Sequence, residues 1–256
     1  MCPKRCCYCS AYDGASLSSK LPWSEIKQNP LFLKASSDTS IPAFVKQALD
    51  NPDNSGIDTK ANMLFFGQKD STGGLIAFTG TIKDAEKFKL FCLDATKGGS
   101  QSEKDGVSFI SKSPIVVGWN KEKFLFVKNS PEFTYGNYMG GTGAMAEKPR
   151  DLLATCANLF NLKEENSLGE NEKFTALVKT PGDIHFWMNG EQLNKNMLSA
   201  NPALSMIKLN DLYEGSFTAA TINFDNGKIL VDVKSYAGKK MSELYKKYEA
   251  RILMKT

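Results

Sequence analysis

The spacing of apolar and polar residues predicts strands and helices in both halves of the chain. In the first half, strands are predicted at 62–67, 75–83, 107–112, 115–119 and 123–128. In the last of these, Phe124 and Phe126 share one face, which is the period of two that a strand requires. Residues 97–105 are polar and are predicted to form a loop. The first half is therefore expected to supply several antiparallel strands.

Apolar residues at intervals of three and four predict helices around these strands. Ser40 is placed to cap one helix, and Asp84 to cap another that runs to about Thr96. Further helices are predicted at 149–160, 169–179 and 241–251. Cys92 and Cys156 fall on apolar helix faces, so both are expected to be small buried side chains.

The second half contains the clearest hairpin signal in the sequence. Asn226-Gly227 separates predicted strands at 216–224 and 228–236, and this dipeptide favours a type I′ turn with two positive φ angles. A further strand is predicted at 183–189. Hairpins followed by helices, without strict alternation of strand and helix, predict an α+β fold with antiparallel sheets and helices on one face. Both halves follow this order, which suggests two similar halves.

A glycine-rich segment, residues 131–147, is predicted to connect an N-terminal α+β half (11–130) to a C-terminal half (148–256) that we expect to be incomplete. The connector carries Phe133, Tyr135 and Tyr138. Aromatic rings on a glycine-rich loop are candidates for stacking on a sugar or holding a partner. The alternative is that they dock on the core.

Composition excludes some classes of partner. Among the 256 residues, 32 basic and 28 acidic side chains are interleaved, so no basic stripe marks a nucleic-acid-binding surface. No run approaches the roughly 18 apolar residues of a membrane-spanning helix. The first residues are cysteines and basic groups, so no signal peptide is expected at this start.

The cysteine-rich start is the sharpest motif. Cys2, Cys6 and Cys9 have the C-x₃-C-x₂-C spacing that resembles the cluster loop of radical S-adenosylmethionine enzymes. Three thiolates on such a loop hold three irons of a [4Fe–4S] cluster. In that family the loop follows a first strand, whereas this motif begins at residue 2. We therefore predict no cofactor, and keep the iron–sulfur enzyme as an alternative.

A different interpretation explains the cysteines through their codons. Cysteine and tyrosine codons read one nucleotide later give valine, alanine, isoleucine or threonine. The segment from Cys2 to Cys9 then reads Val-Pro-Lys-Asp-Ala-Val-Ile-Val, a polar turn that enters a β-strand. We predict that residues 1–10 are a non-native, out-of-frame start. Sequencing the gene across this junction tests the hypothesis, which an intact upstream frame joined to Cys2 would contradict.

Other candidates for chemistry are isolated residues. His185 is the only histidine, and the strand pattern predicts that it is half-exposed and has no acid partner for general-base catalysis. Asp58 and Asp183 follow glycines and are expected to accept hydrogen bonds from their own backbone. No catalytic residue is predicted.

Several segments resemble a domain-of-unknown-function family of lipoproteins from Bacteroides-type bacteria. The resemblance covers nearly the whole chain from Ala11, and it includes the re-read start. Its other motifs are Asp13-Gly14-Ala15-Ser16-Leu17, Asn51-Pro52-Asp53-Asn54-Ser55-Gly56-Ile57-Asp58, Gly80-Thr81-Ile82-Lys83-Asp84, Gly182-Asp183-Ile184-His185-Phe186-Trp187 and Asn223-Phe224-Asp225-Asn226-Gly227-Lys228. The resemblance implies a lipoprotein signal before this start, further residues after this end, and no established catalytic residues.

These observations predict a non-enzymatic ectodomain in the cell envelope that binds a ligand or an envelope protein, or has a structural role. A carbohydrate-binding module that uses the connector aromatics is the second alternative.

Overall fold

The computed structural model describes residues 2–37, 46, 50–70, 73–130, 150–199 and 210–253. Within them the chain forms one ten-stranded antiparallel sheet. Its strands are β1 (Tyr8–Tyr12), β2 (Met63–Asp70), β3 (Gly73–Thr81), β4 (Ser100–Lys104), β5 (Val107–Lys112), β6 (Ile115–Trp119), β7 (Lys123–Asn129), β8 (Ile184–Asn189), β9 (Phe217–Asp225) and β10 (Lys228–Tyr236). The antiparallel α+β prediction is confirmed.

Strand β1 joins the two predicted halves. The order across the sheet is β10-β9-β8-β1-β2-β3-β7-β6-β5-β4. Cys9 of β1 lies opposite Phe66 of β2 on one side and Trp187 of β8 on the other. The sheet is therefore continuous from the early strands to the late ones, with β4 and β10 at its edges.

Helices precede, interrupt and follow the strands. The described helices are α1 (Gly14–Lys20), α2 (Trp23–Ile26), α3 (Pro30–Ser37), α4 (Ala85–Thr96), α5 (Leu152–Phe160), α6 (Glu172–Lys179), α7 (Gly190–Ser199), α8 (Asn210–Tyr213) and α9 (Lys239–Leu253). Asp84 caps α4 as predicted, and its carboxylate accepts a hydrogen bond from the Lys87 N–H. None of these helices has both the length and the apolar character that a membrane crossing needs.

Helices cover both faces of the sheet, so the predicted one-sided arrangement is wrong in this detail. On one face, Phe88 of α4 packs with Val117 and Phe124. On the other face, Cys156 of α5 packs with Leu125, which directly follows Phe124 on β7. Because β5, β6 and β7 carry apolar residues on both sides, burying them requires cover on both faces.

The turns also differ from the sequence prediction. Residues 97–105 are not all loop, because they contain the edge strand β4. Asp105 and Gly106, which connect β4 to β5, have φ angles of 53° and 73°, the pair of positive values that a type I′ turn needs. Gly227 has φ 74°, but Asn226 is not in the left-handed region, so the predicted type I′ turn there is wrong.

Two other predictions cannot be compared with the structure. Most of the helix predicted after Ser40 and the whole connector, residues 131–147, lie outside the described residues. The same is true of Phe133, Tyr135 and Tyr138, which remain candidate binding residues by prediction alone.

Candidate functional site

Asp183 is the most deeply buried acidic side chain in the described chain, and it lies just before β8. Its Oδ1 accepts a hydrogen bond from Ser16 Oγ at 2.5 Å. Its Oδ2 accepts from Lys20 Nζ at 2.9 Å and from the Phe224 N–H at 2.6 Å. Ser16 and Lys20 are one turn apart on α1, so this carboxylate fastens α1 to two strands of the sheet.

Opposing effects act on the acidity of Asp183. Burial raises the pKa of the carboxyl, because it disfavours the charged form. The hydrogen bonds from Lys20, Ser16 and Phe224, with the charge on Lys20, outweigh burial, and the pKa lies below its ordinary value. The carboxylate is therefore ionised at neutral pH.

The prediction that Asp183 accepts hydrogen bonds from its own backbone is wrong, because its donors are remote in sequence. Asp58, by contrast, accepts a hydrogen bond from the nearby Lys60 N–H, as expected of a turn residue. Asp183 differs from Asp58 because it lies where α1 and β9 come together in space. These two segments are far apart in the chain, so no local sequence pattern indicates the contact.

His185 is buried rather than half-exposed. Its Nε2 lies 2.8 Å from the carbonyl oxygen of Thr180. A carbonyl only accepts, so Nε2 carries the proton and donates it. The nearby Asp183 carboxylate already accepts from Lys20 and two other donors. The geometry gives His185 a structural hydrogen bond.

The N-terminal cysteines are ordered and buried. Cys2, Cys6 and Cys9 belong to the same apolar cluster as Cys156 and Phe66. Burial, followed by hydrogen bonds with Cys6 and Cys9, raises the pKa of the Cys2 thiol well above its usual value. The Cys2 thiol is therefore neutral at neutral pH. No group of three or more Cys, His, Asp or Glu residues in the described ranges is arranged to hold a metal ion.

The other two cysteines lie where the sequence predicts. Cys92 on α4 and Cys156 on α5 are both fully buried. Burial raises the pKa of each thiol to about 12. Both cysteines are therefore neutral core side chains.

A cleft of about 570 Å³ opens between the N-terminal segment, the end of β2, and α5 with the turn that follows it. Its walls include Lys4, Arg5, Gln68, Arg150, Asn158 and Glu165. Leu75, Leu159 and Leu162 add an apolar side. A concave surface with a few polar groups and an apolar wall is typical of a small-molecule site.

Arg150 anchors one wall of this cleft. Its guanidinium donates two hydrogen bonds to the Asp70 carboxylate, at 2.7 and 2.9 Å, and one to the Gly73 carbonyl at 2.9 Å. The Arg150 side chain is only 4 % exposed. The paired charges of Arg150 and Asp70 compensate each other, which leaves Lys4 and Arg5 as the main positive groups of the cleft.

Two buried polar atoms of the cleft walls have no hydrogen-bond partner. They are Nε of Arg150, a donor, and Oε1 of Gln68, an acceptor. Leaving such an atom unsatisfied costs about 1–3 kcal/mol. Both atoms are enclosed, so a ligand pairs with both only after the two side chains turn toward the cleft.

A second cleft, of about 290 Å³, adjoins the first, and Lys4 lines both. Asn171, Asn189 and Ser216 contribute polar groups to it. It also contains Trp187, whose indole N–H is buried without a partner. The two clefts therefore present hydrogen-bonding groups on either side of Lys4.

Sequence reasoning missed these clefts because their walls come from distant segments. Lys4, Gln68 and Arg150 do not form a local motif, and only the pairing of strands brings them together. The one available signal is an arginine in the first turn of a predicted helix, which does not by itself indicate a site.

Comparison with known proteins identifies the family of this chain. Residues 31–256 match the model of a domain of unknown function, DUF4836. No curated protein is significantly similar to the chain. Crystal forms I and III of TP0453 resemble it with TM-scores of 0.46 and 0.47 at 10% identity, covering 91% of this chain and 76% and 77% of theirs. Resemblance of this degree says nothing about function.

Proposed function

Since the chain belongs to the DUF4836 family of domains of unknown function, we propose that it is a binding protein of the cell envelope that holds a short oligosaccharide in the cleft beside Arg150. The unpartnered donor of Arg150 and acceptor of Gln68 carry this proposal. Two such atoms in one wall are a persistent cost to the folded state, and a ligand that pairs with both removes that cost.

The chemistry of the two orphaned atoms selects the ligand class. A hydroxyl group accepts a hydrogen bond from Arg150 Nε and donates one to Gln68 Oε1, and so does an acetamido group. Leu159 and Leu162 offer an apolar surface for the ring carbons or an acetyl methyl group. The second cleft, on the other side of Lys4, provides room for a further sugar unit.

The envelope location rests on the resemblance to lipoproteins and is a separate part of the proposal. Fractionation of cells that express the complete natural gene tests it, with recovery in the membrane or periplasmic fraction as the expected result. Recovery with cytosolic marker proteins would refute the location without affecting the cleft.

Titration calorimetry with the trisaccharide of N-acetylglucosamine tests the binding proposal. We expect saturable binding to the wild type, and at least tenfold weaker binding to Gln68→Leu and Arg150→Lys. Gln101→Leu, on the exposed edge strand β4, is the matched control and should bind like the wild type.

Stability measurements give a second readout on the same variants. Gln68→Leu removes a buried acceptor that has no partner, so it should unfold at equal or higher urea concentration while binding is lost. Absence of trisaccharide binding to the wild type, or undiminished binding to both cleft variants, would reject the cleft as a saccharide site.

A further inference from the structure

The two edges of the sheet differ in their protection against pairing with another chain. The edge strand β4 has five residues, Ser-Gln-Ser-Glu-Lys, all polar. The opposite edge, β10, has nine residues, and every one of them is exposed. Natural proteins protect sheet edges with short, charged or covered strands. β4 is protected in this way, whereas β10 is long and uncovered.

Strand β10 also presents an apolar row. Ile229, Val231 and Val233 alternate along the strand on one face of the sheet, and their exposed fractions are 62 %, 56 % and 57 %. Their partners on β9 are Phe224, Ile222 and Ala220, which extend the apolar surface inward. The other face of β10 carries Asp232 and Lys234.

We propose that two copies of this chain associate through β10, which pairs antiparallel with β10 of the second copy around a two-fold axis at Val233. The pairing makes one continuous sheet and joins the two apolar rows. It satisfies the outward N–H and C=O groups of β10, which pairs only with β9 among the described strands.

Charge complementarity selects this register. A two-fold axis normal to the sheet leaves each face of one copy continuous with the same face of the other. Side chains that lie opposite each other must then point to the same face, so their residue numbers differ by an even number. With the axis at Val233, Asp232 of each copy lies opposite Lys234 of the other, which forms two attractive pairs. Leu230 then lies opposite Tyr236, and residues 230–236 of both strands overlap.

Neighbouring registers bring like charges together. An axis at Asp232 places the two Asp232 carboxylates opposite each other. An axis at Val231 places Lys234 opposite Lys228, and an axis at Lys234 opposes the two lysines. Directly opposed like charges destabilise a strand pair, so these registers are disfavoured. An axis at Leu230 pairs Asp232 with Lys228, but it overlaps only residues 228–232.

Sedimentation equilibrium over a wide concentration range tests the proposal. We expect the wild type to dimerise reversibly. Asp232→Lys and Lys234→Asp each place like charges opposite each other twice, so each should weaken the dimer roughly tenfold. The double variant with both substitutions restores opposite charges and should recover the wild-type dissociation constant.

The controls separate dimerisation from folding. Ser102→Lys places the same new charge on the other edge, at β4, and should leave the dimer unchanged. Circular dichroism should show native secondary structure in every variant. A wild type that stays monomeric at all concentrations overturns the proposal. A dimer that is insensitive to the single substitutions, or one that the double variant does not restore, overturns the β10 register.

Discussion

At the scale of single residues, Asp183 shows how one buried charge organises distant parts of the chain. Its carboxylate takes hydrogen bonds from Ser16, Lys20 and the Phe224 N–H, and each of its oxygens is used. A buried charge is tolerated only when it is paired and fully hydrogen-bonded. Lys20 remains partly exposed, so solvent screens part of its attraction to Asp183.

Replacing Asp183 by asparagine should lower the free energy of unfolding by roughly 3 kcal/mol at pH 7, because it removes the charged acceptor of a buried network. Urea unfolding followed by circular dichroism measures this loss. Asp53→Asn is a suitable control, since Asp53 forms its ion pair with Lys83 at the surface and should change stability by less than about 1 kcal/mol.

The wild type and Asp183→Asn can also be compared as a function of pH. The pKa of Asp183 is lowered on folding, so its stabilisation is complete above the unfolded pKa of about 3.9 and is lost as the pH falls through the folded value. The wild type should therefore lose more stability than Asp183→Asn as the pH falls below about 4. Parallel pH profiles for the two proteins would contradict this role.

A substitution at Cys9 tests how the N-terminal segment packs in the core. The side chain is fully buried in the central strand, and the out-of-frame hypothesis places valine there. We expect Cys9→Val to change the unfolding free energy by less than about 1.5 kcal/mol, because valine is apolar, slightly larger and favourable in strands. A loss above roughly 3 kcal/mol, measured by urea unfolding, would show that the site is shaped for cysteine.

At the scale of elements, tight turns decide where the edge strands begin and end. Asp105 and Gly106 reverse the chain between β4 and β5, and both lie in the left-handed region. Glycine adopts this conformation without the steric cost that a Cβ atom brings. The turn therefore allows the short polar strand β4 to pair with β5.

Gly106→Ala should lower the unfolding free energy by about 1–2 kcal/mol, since alanine is strained at a φ of 73°. Space is not the reason, because a Cβ atom at this position would meet nothing within 4 Å. Asp105→Asn should have little effect, as asparagine tolerates the left-handed region. Thermal unfolding of the two variants distinguishes these outcomes, and equal midpoints would contradict the turn assignment.

At the scale of the whole molecule, the sheet separates two apolar cores. Phe88 lies in the core beneath α4, where its ring centroid is 5.1 Å from that of Phe124. Phe174 lies in the core on the opposite face, where it contacts Trp187 edge to face. The sheet between them excludes direct contact. A substitution in one core should therefore not alter the stability change caused by a substitution in the other.

The two cores should therefore respond additively to mutation. Phe88→Leu and Phe174→Leu should show a coupling energy below about 0.5 kcal/mol in a double-mutant cycle of unfolding free energies. The control cycle, Phe88→Leu with Phe124→Leu, involves two rings that contact each other at a tilt of 30° and should show a coupling of roughly 0.5–1.5 kcal/mol. Equal coupling in both cycles would mean that the sheet does not divide the core.

Local pattern determined most of the elements in this protein. Strands β5 and β6 have their predicted bounds, and Asp84 caps α4, because alternation and capping depend on residues close together in the chain. The burial of Cys92 and Cys156 follows from the same periodicity. The family resemblance carried by short turn motifs is confirmed as a domain of unknown function.

Tertiary structure alone decided which of these elements meet. β1 lies inside the sheet between β8 and β2, and Asp183 accepts hydrogen bonds from α1 and β9, because long-range pairing brings remote segments together. The cleft beside Arg150 and the exposed edge of β10 arise in the same way. Periodicity specifies which side of an element is apolar, whereas only packing specifies what that side contacts.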